Sequence, residues 1–372
     1  MYRAVIRPLL FRLDPEHVHH ATMVACAAAG RVGPVRTLVE RRFGTPADPR
    51  LATTVGGVRF PNPVGLGAGY DKDARGLELL SRLGFGYLDV GSVSLEPSAG
   101  NSVRPRLHRL ADDEALMVNY GVPSDGAVAV ARRFASAAHR VPLAVTIVET
   151  NTGRPAEANA VIAELTACAR PFLGLVDLLF ISAACPNSTG AAQPFSNVEN
   201  VRRLFESLGR YADLPPVFLK IRATGDEIDR IVEIAAAFPF VRGFRPEIAA
   251  PQPYTGLRTP RETLARMPGT ATGPLFHPLL LERIRDWYAR IDPTRHALIA
   301  NGGIRSGADA YAAIRAGASL VGLVTAIVYH GPGLARRINT ELAALLARDG
   351  FANVADAVGA DHPRLAPIPA GV

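Results

Sequence analysis

"ALIANGGIRSGADAYAAIRAGASLVGLVTA", residues 297–326, holds the pattern that decides the fold of this chain. Two apolar runs, 297–303 and 320–326, flank the helical pattern "GADAYAAIRAGA". A strand, a helix and a second strand in succession are typical of a parallel β-sheet, because the helix carries the chain back to the start of the next strand. The stretch therefore predicts one βαβ unit.

The same alternation runs through most of the chain. It begins after "TTVGGVRF" (53–60), which predicts a small hairpin. Eight strand candidates follow, with helical patterns between most of them: 63–69, 86–93, 142–148, 178–184, 216–222, 240–246, 297–303 and 320–326. Eight such units predict a (β/α)8 TIM barrel over residues 46–372, with its active site at the C-terminal ends of the strands. Residues 249–276, rich in Pro, Gly and Thr, are expected to form a loop over that site.

Residues 1–45 stand apart from this rhythm and predict an N-terminal amphipathic helical extension. Asp14 and Pro15 match an N-cap followed by proline at the first helical position, so a second helix is expected to begin there. The first helix carries arginines among the apolar residues Val5, Ile6, Leu9 and Leu10. Such a pair forms either two ordinary surface helices or a basic, apolar face that lies on a membrane.

Composition narrows the class of protein. The 372 residues are 48% hydrophobic and 20% charged, as in a globular protein with a sizeable core. The net charge is +7, but no basic block is interleaved with aromatic residues, which disfavours nucleic-acid binding and leaves phosphate ligands or an anionic membrane surface. Cys26, Cys168 and Cys185 form no CxxC pair, so no disulfide framework and no metal site is predicted. No signal-peptide layout is present, and a cytoplasmic location is expected.

Two residues are singled out by their rarity. Of 41 Lys plus Arg residues, only Lys72 and Lys220 are lysines. A lysine is a compact point charge whose pKa shifts readily, whereas arginine serves elsewhere in this chain as the general positive charge. We expect both lysines to take part in chemistry.

The stretch "ISAACPNSTG" (181–190) places Cys185 directly after a buried strand candidate. A lone cysteine is often a small buried hydrophobe, but the end of a barrel strand favours a reactive group. The glycines of "NGG" (301–303) and "GTATG" (269–273) favour a phosphate site, since backbone N–H groups can approach an anion there. A phosphate-bearing redox cofactor, two lysines and a thiol together suggest flavin chemistry.

Several longer stretches carry a family resemblance, namely "MYRAVIRPLLFRLDPEHVHH" (1–20), "NPVGLGAGYDKDARGLELLSRLGFGYLDVGSVS" (62–94), "GNSVRPRLHRL" (100–110), "ACPNSTG" (184–190), "FLKI" (218–221) and "NGGIRSGADAYAAIRAGASLVGLVTAIVYHGP" (301–332). With these, nearly the whole chain resembles the dihydroorotate dehydrogenases, specifically the membrane-associated, quinone-linked class. The resemblance implies an FMN cofactor, a small-molecule substrate, a quinone acceptor and a peripheral position on the inner face of the cell membrane.

The resemblance also implies roles for single residues. Cys185 falls on the position of the catalytic base and Lys220 on the flavin lysine, while His19 and Arg109 match residues that line the quinone tunnel. FMN contacts are implied at Ala68, Gly69, Lys72, Ser92, Thr146, Ser182, Lys220, Gly273, Gly303, Val324 and Thr325. Substrate contacts are expected at Lys72, Asn119, Asn187, Ser188, Arg245 and Glu247.

The chain departs from the family in its substrate pocket. Cysteine replaces the serine that the quinone-linked class has as its base, and most of the asparagines that bind orotate are missing. Thr146, Ser182 and the pair Glu247-Ile248 stand at such positions, and Asn187 remains. Each lost amide would leave a polar edge of orotate unpaired, at about 1–3 kcal/mol per group.

These departures leave three functions open. The first is an FMN enzyme that desaturates the Cα–Cβ bond of another small, acidic or cyclic substrate in a biosynthetic pathway and passes electrons to a quinone. The second is an authentic quinone-dependent dihydroorotate dehydrogenase of pyrimidine biosynthesis. The third is a flavin- or phosphate-binding barrel without turnover, against which the retained His19, Arg109, Cys185 and Lys220 speak.

Overall fold

A computed structural model of the chain describes residues 2–183, 194–248 and 254–362. Within these ranges the strands are β1 (Thr53–Val55), β2 (Val58–Phe60), β3 (Val64–Leu66), β4 (Tyr87–Val93), β5 (Leu107–Leu110), β6 (Ala115–Val118), β7 (Leu143–Ile147), β8 (Leu178–Ser182), β9 (Val217–Ile221), β10 (Val241–Pro246), β11 (Thr270–Thr272), β12 (Ala297–Asn301) and β13 (Ala318–Leu323). The α-helices are α1 (Arg7–Leu10), α2 (Pro15–Gly30), α3 (Gly33–Phe43), α4 (Leu77–Leu80), α5 (Ala127–Ser136), α6 (Ala158–Ala169), α7 (Glu199–Leu208), α8 (Asp226–Ala236), α9 (Arg261–Ala265), α10 (His277–Tyr288), α11 (Gly307–Arg315), α12 (Thr325–His330) and α13 (Leu334–Arg348).

Eight of these strands close into a parallel barrel in the order β10-β12-β13-β3-β4-β7-β8-β9. The predicted TIM barrel is thus confirmed, and so is the antiparallel hairpin of β1 and β2. The last strand differs from its expected bounds: it spans Ala318–Leu323, and Thr325 already begins α12. The apolar run 320–326 therefore covers the end of a strand and the first turn of a helix.

The N-terminal end of the barrel is closed by apolar packing. Val55 and Phe60 of the hairpin form a buried cluster with side chains from the starts of the barrel strands, among them Tyr87, Leu178 and Phe218. Tyr87 and Phe60 meet edge to face with ring centroids 5.8 Å apart. Because this end is filled, the open space of the barrel lies at the opposite, C-terminal end.

The N-terminal extension folds into separate helical segments. The predicted start of the second helix is confirmed: the Asp14 side chain accepts a hydrogen bond from the His17 N–H at 2.9 Å, and α2 begins at Pro15. The helix ends at Gly30, and α3 is a further helix that the sequence pattern did not separate. Gly30 allows α2 to approach α4 closely, since a Cβ there would lie 3.1 Å from the Cβ of Glu78.

The segment expected to be a loop over the site, 249–276, contains regular structure. Its described part, from residue 254 onward, includes α9 and β11, whereas 249–253 lie outside the described residues. Strand β11 pairs antiparallel with β6, and β6 pairs with β5, which gives a small three-stranded sheet beside the barrel. The loop prediction was wrong for this part because a three-residue strand carries too few residues to show an alternating pattern.

Candidate active site

A cavity of about 650 Å³ opens at the C-terminal end of the barrel and continues to the N-terminal helices. It is lined by strand ends of the barrel, by the small three-stranded sheet and by α2 and α3. Of the residues predicted for the site, those that line it are His19, Ala68, Gly69, Lys72, Ser92, Arg109, Lys220, Arg245, Glu247, Gly273, Gly303, Val324 and Thr325. The residues expected to contact the flavin and those expected to line the quinone tunnel thus share one cavity.

Small residues and hydroxyls form one part of this cavity. Gly273 and Gly303 adopt φ angles of 139° and 70°, a region that favours glycine. The hydroxyls of Thr272 and Thr325 lie 2.8 Å apart beside them. At Gly69 an added Cβ would have only Val324 within 4 Å, so backbone faces open space there. Exposed backbone and hydroxyl groups of this kind suit a phosphate.

Lys72 connects the barrel to the N-terminal helices. Its Nζ lies 3.2 Å from Nε2 of His19 and 4.2 Å from the ring centroid of Tyr120. Burial lowers the pKa of Lys72 to about 8, and burial together with the Lys72 charge lowers the pKa of His19 to about 3. At neutral pH the lysine is therefore a cation and the imidazole is neutral. Since an ammonium can only donate, Nε2 of His19 accepts and its ring proton resides on Nδ1.

Lys220 has an acidic partner in the cavity. Its Nζ forms an ion pair with Oε2 of Glu247, the residue that follows β10. The Glu247 side chain is 8% exposed and that of Lys220 is 22% exposed. The backbone N–H of Glu247 donates to the carbonyl of Ile221 at 3.0 Å, which fixes its place next to β9. Sequence reasoning had named both residues but not their pairing.

Arg245 reaches the cavity from a buried network. Its guanidinium donates to Oδ2 of Asp89 at 2.5 Å and to the Thr146 hydroxyl at 3.0 Å, and it stacks over Phe180 at 4.5 Å. The Thr146 hydroxyl donates to the other Asp89 oxygen at 2.7 Å. Arg245, expected to contact substrate, is thus occupied by groups inside the barrel. Thr146, expected to contact the cofactor, lies in this network and not among the described residues that line the cavity.

Arg109 lies where the cavity meets the extension. Its Nη1 donates to the carbonyl of Leu13 at 2.8 Å, and its guanidinium lies 4.6 Å from the ring centroid of Phe11. The N-terminal helices also contribute apolar lining, with Leu10, Val18, Val39 and Phe43. This end of the cavity therefore offers an apolar channel with a cation at its side.

The remaining site predictions concern two described residues that are not among those lining the cavity and three residues outside the described ranges. Asn119 accepts a hydrogen bond from the Asn101 side chain at 2.9 Å, and Ser182 is buried at the end of β8; neither is among the described residues lining the cavity. Cys185, Asn187 and Ser188 lie outside the described residues. Ala183, just before them, donates to the carbonyl of Lys220 at 2.9 Å, so the chain enters this segment beside β9.

Three residues of the site escaped the sequence analysis. Asp89 is the buried partner of Arg245, Tyr120 lies under Lys72, and Asn301 lines the cavity at the end of β12. Oδ1 of Asn301 is buried without a hydrogen-bond donor among the described residues. For Asp89 and Asn301 the sequence held a signal, namely a charged or amide residue inside the apolar strand patterns "YLDVGSV" and "ALIAN".

Known proteins match this chain over most of its length. The model of the dihydroorotate dehydrogenase family matches residues 50–346. The chain belongs to the dihydroorotate dehydrogenase family. It is 36% identical over 370 residues to the "dihydroorotate dehydrogenase (quinone)" of Thermobifida fusca, with 97% of each chain covered. It is 35% identical over 363 residues to the protein of the same name from Mycobacterium tuberculosis, covering 97% of this chain and 98% of the other.

Solved structures of the family share the fold. A ligand-free dihydroorotate dehydrogenase from Eimeria tenella superposes with a TM-score of 0.81 at 27% identity, covering 94% of this chain and 99% of that one. The enzyme of the same organism in complex with ferulenol gives a TM-score of 0.79, also at 27% identity, with coverage of 94% and 96%. As a member of this family the chain is an FMN-dependent oxidoreductase acting on a CH–CH bond, and the non-catalytic alternative loses its support.

The residues of the cavity fit FMN. The cradle of Gly69, Gly273 and Gly303 with the two threonine hydroxyls would hold the phosphate, and Lys220 lies in the same cavity for the ring system. Within the described ranges no three His, Cys, Asp or Glu side chains group closely enough to hold a metal ion. In the same ranges no helix combines the length and the apolar character needed to cross a bilayer.

Proposed function

We propose that this chain oxidises dihydroorotate to orotate and passes the electrons to a quinone. One observation carries the proposal: a single cavity contains the glycine cradle and both lysines and extends to His19 and Arg109 beside the N-terminal helices. A cofactor that accepts electrons in one half-reaction and donates them in the other needs this arrangement, because substrate and quinone must each approach the same cofactor. The full-length similarity to quinone-dependent enzymes supports the same reading.

The chain's own residues divide the work of the first half-reaction. Bound FMN supplies the acceptor for the hydride. Lys72, a buried cation at neutral pH, would bind the carboxylate of dihydroorotate. Cys185 would take the proton from the neighbouring carbon, since removal of a hydride alone would leave the C–H bond of that carbon intact. The apolar lining from α2 and α3 would hold the quinone ring.

The pH dependence of ligand binding follows from the lowered pKa of Lys72. The anionic ligand needs the charge of the lysine, which an ordinary lysine would keep up to about pH 10.4. With a pKa of about 8, Lys72 becomes neutral in alkaline solution, so we expect the dissociation constant of the product orotate, whose binding needs this charge but not the base, to rise about tenfold between pH 7 and pH 9. Titration of the flavin absorbance with orotate across this range measures the effect.

Lys72→Arg is the matched control, because a guanidinium stays charged throughout the range. In that variant the alkaline weakening of orotate binding should disappear, even where the affinity at pH 7 is lower. A weakening of the same size at the same pH in Lys72→Arg would show that another group titrates, and would remove Lys72 from this role.

A second candidate function is the oxidation of a different small substrate. The observation that favours it is Glu247, a carboxylate inside the cavity at a position where the family binds orotate. Thr146, at another such position, is engaged with Asp89 and Arg245 and offers no amide. A substrate with a hydrogen-bond donor facing Glu247 would suit this pocket better than orotate does.

One assay separates the two candidates. Purified, FMN-loaded protein is supplied with dihydroorotate and a lipophilic quinone, and formation of orotate is followed by its ultraviolet absorbance. Stoichiometric orotate and quinol support the first candidate. A protein whose flavin is reduced by a chemical reductant and reoxidised by quinone, yet which forms no orotate, favours the second.

We further propose that the N-terminal helices rest on the surface of the membrane. Among the described residues, nine large hydrophobic side chains are exposed, and seven of them lie on this extension: Val5, Ile6, Leu9, Leu13, Val24, Val32 and Leu38. Arginines stand between them, as in amphipathic helices that bind anionic lipid. The cavity reaches these helices, so a quinone could pass from lipid to the active site.

Replacing Leu9, Leu13 and Leu38 together by serine should weaken binding to vesicles containing anionic lipid at least tenfold. Each leucine buried in lipid contributes on the order of 1 kcal/mol, and the three act together. Cosedimentation with vesicles measures the effect. The control carries Val103→Ser and Val128→Ser, which remove two exposed side chains of the barrel domain and should leave binding unchanged. Equal binding of both variants and the unaltered protein would contradict the proposal.

A further inference from the structure

Two ion pairs lie side by side in the mouth of the barrel. Arg245 is paired in register with Lys220 across β10 and β9. Residues two apart on an extended chain face the same side, so Arg245 and Glu247 both point inward. The carboxylate of Asp89 forms an ion pair with the guanidinium of Arg245, and the carboxylate of Glu247 forms one with the ammonium of Lys220.

The positive charge of Lys220 is therefore already balanced by a negative charge within the cavity. Its partner is a carboxylate in direct contact, held by a backbone hydrogen bond to the carbonyl of Ile221 at 3.0 Å. The Glu247 side chain is 8% exposed, so water screens the pair only weakly. An ammonium and a carboxylate in contact present almost no net charge to a third group farther away, because their potentials have opposite signs and nearly cancel.

This cancellation bears on the cofactor. Two-electron reduction of FMN adds negative charge to its ring system, and a nearby cation favours the reduced form. Lys220 shares the cavity with the glycine cradle, so its charge would act on a flavin bound there. A carboxylate on Lys220 works in the opposite direction and favours the oxidised flavin.

We propose that Glu247 is a positioning residue that sets the reduction equilibrium of bound FMN by neutralising Lys220. The pair makes the flavin a weaker oxidant of the substrate and a stronger reductant of the quinone. The inference rests on FMN binding, which belongs to the proposed function, but not on the identity of the substrate.

The test is a redox titration of the FMN-loaded protein against a dye of known potential, with no substrate present. Glu247→Gln keeps the size of the side chain and removes its charge, and we expect it to raise the equilibrium constant for flavin reduction at least tenfold, or about 30 mV for two electrons. Glu247→Asp keeps the charge and should change the constant less than threefold. Glu149→Gln removes a carboxyl after β7 that is not among the described residues lining the cavity, and should have no effect.

A double-mutant cycle shows whether Glu247 acts through Lys220. In a Lys220→Met background, Glu247→Gln should change the equilibrium constant less than threefold. An unchanged constant for Glu247→Gln in the unaltered background overturns the proposal, and so does an equal shift in both backgrounds, which would mean a direct action on the flavin. If Glu247→Gln fails to retain FMN, Glu247→Thr gives the same readout. Failure of dihydroorotate as a substrate leaves these outcomes untouched, whereas failure to bind FMN refutes both proposals.

Discussion

Cys185→Ala is expected to retain FMN and to slow reduction of the flavin by substrate by a factor of about 10²–10⁴, the usual contribution of a positioned base. The cysteine lies outside the described residues, and the prediction rests on its place in the sequence, three residues after the end of β8. Strand β8 ends at Ser182, and Ala183 donates to the carbonyl of Lys220 at 2.9 Å. The chain thus leaves the barrel at its C-terminal end, next to a lysine that lines the cavity.

Rapid mixing of each oxidised protein with substrate, without quinone, measures this step alone. Cys185→Ser should recover only part of the rate, because a hydroxyl is much less acidic than a thiol and therefore needs further groups to activate it. A packed structural cysteine would behave differently: both variants would then reduce their flavin at the normal rate, with at most a modest loss of stability. That result would end the assignment of Cys185 as the base.

Asp89→Ala is expected to lower the free energy of unfolding by about 3–5 kcal/mol, the cost of breaking a buried ion pair by removing one partner. The side chains of Asp89 and Arg245 are only 1% and 4% exposed. The substitution would leave the guanidinium of Arg245 without its carboxylate and the Thr146 hydroxyl without its acceptor. Denaturant unfolding followed by circular dichroism gives the value.

Two controls accompany this measurement. Asp229→Ala removes an acidic partner of Arg290 from a pair in which the side chains are 51% and 29% exposed, and should cost about 1 kcal/mol or less. The double variant Asp89→Ala/Arg245→Met removes both buried charges and should be more stable than Asp89→Ala alone. If Asp89→Ala and Asp229→Ala cost the same, the buried network does not stabilise the barrel as described.

The barrel could be predicted from the sequence because the alternation of strand and helix patterns is repeated along the chain. Each strand candidate is an apolar run of several residues followed in most cases by a helical pattern, so an error of two residues at one end leaves the count intact. Strand β11 is different: three residues, Thr270–Thr272, find their partners at Leu116–Val118, far away in the chain. No local pattern encodes such a pairing, and the sheet of β5, β6 and β11 was therefore missed.

The candidate site shows the same limit at the level of side chains. The rarity of lysine directed attention to Lys72 and Lys220, and both line the cavity. Their partners could not be predicted, because Glu247 and His19 lie on other elements and meet the lysines only in the folded chain. Arg245, expected from its place at a strand end to contact substrate, does line the cavity, but its ion pair with the buried Asp89 on a distant strand could not be predicted.

The central claim is that dihydroorotate reduces the flavin of this protein and that a quinone reoxidises it. The most direct measurement is anaerobic mixing of the FMN-loaded protein with an excess of dihydroorotate, followed by addition of a lipophilic quinone, with the visible absorbance of the flavin recorded throughout. We expect the absorbance to bleach with dihydroorotate, with one orotate formed per flavin at that stage, and to return when the quinone is added in excess over the remaining dihydroorotate. A flavin that stays oxidised in excess dihydroorotate, while a chemical reductant bleaches the same sample, would contradict the claim.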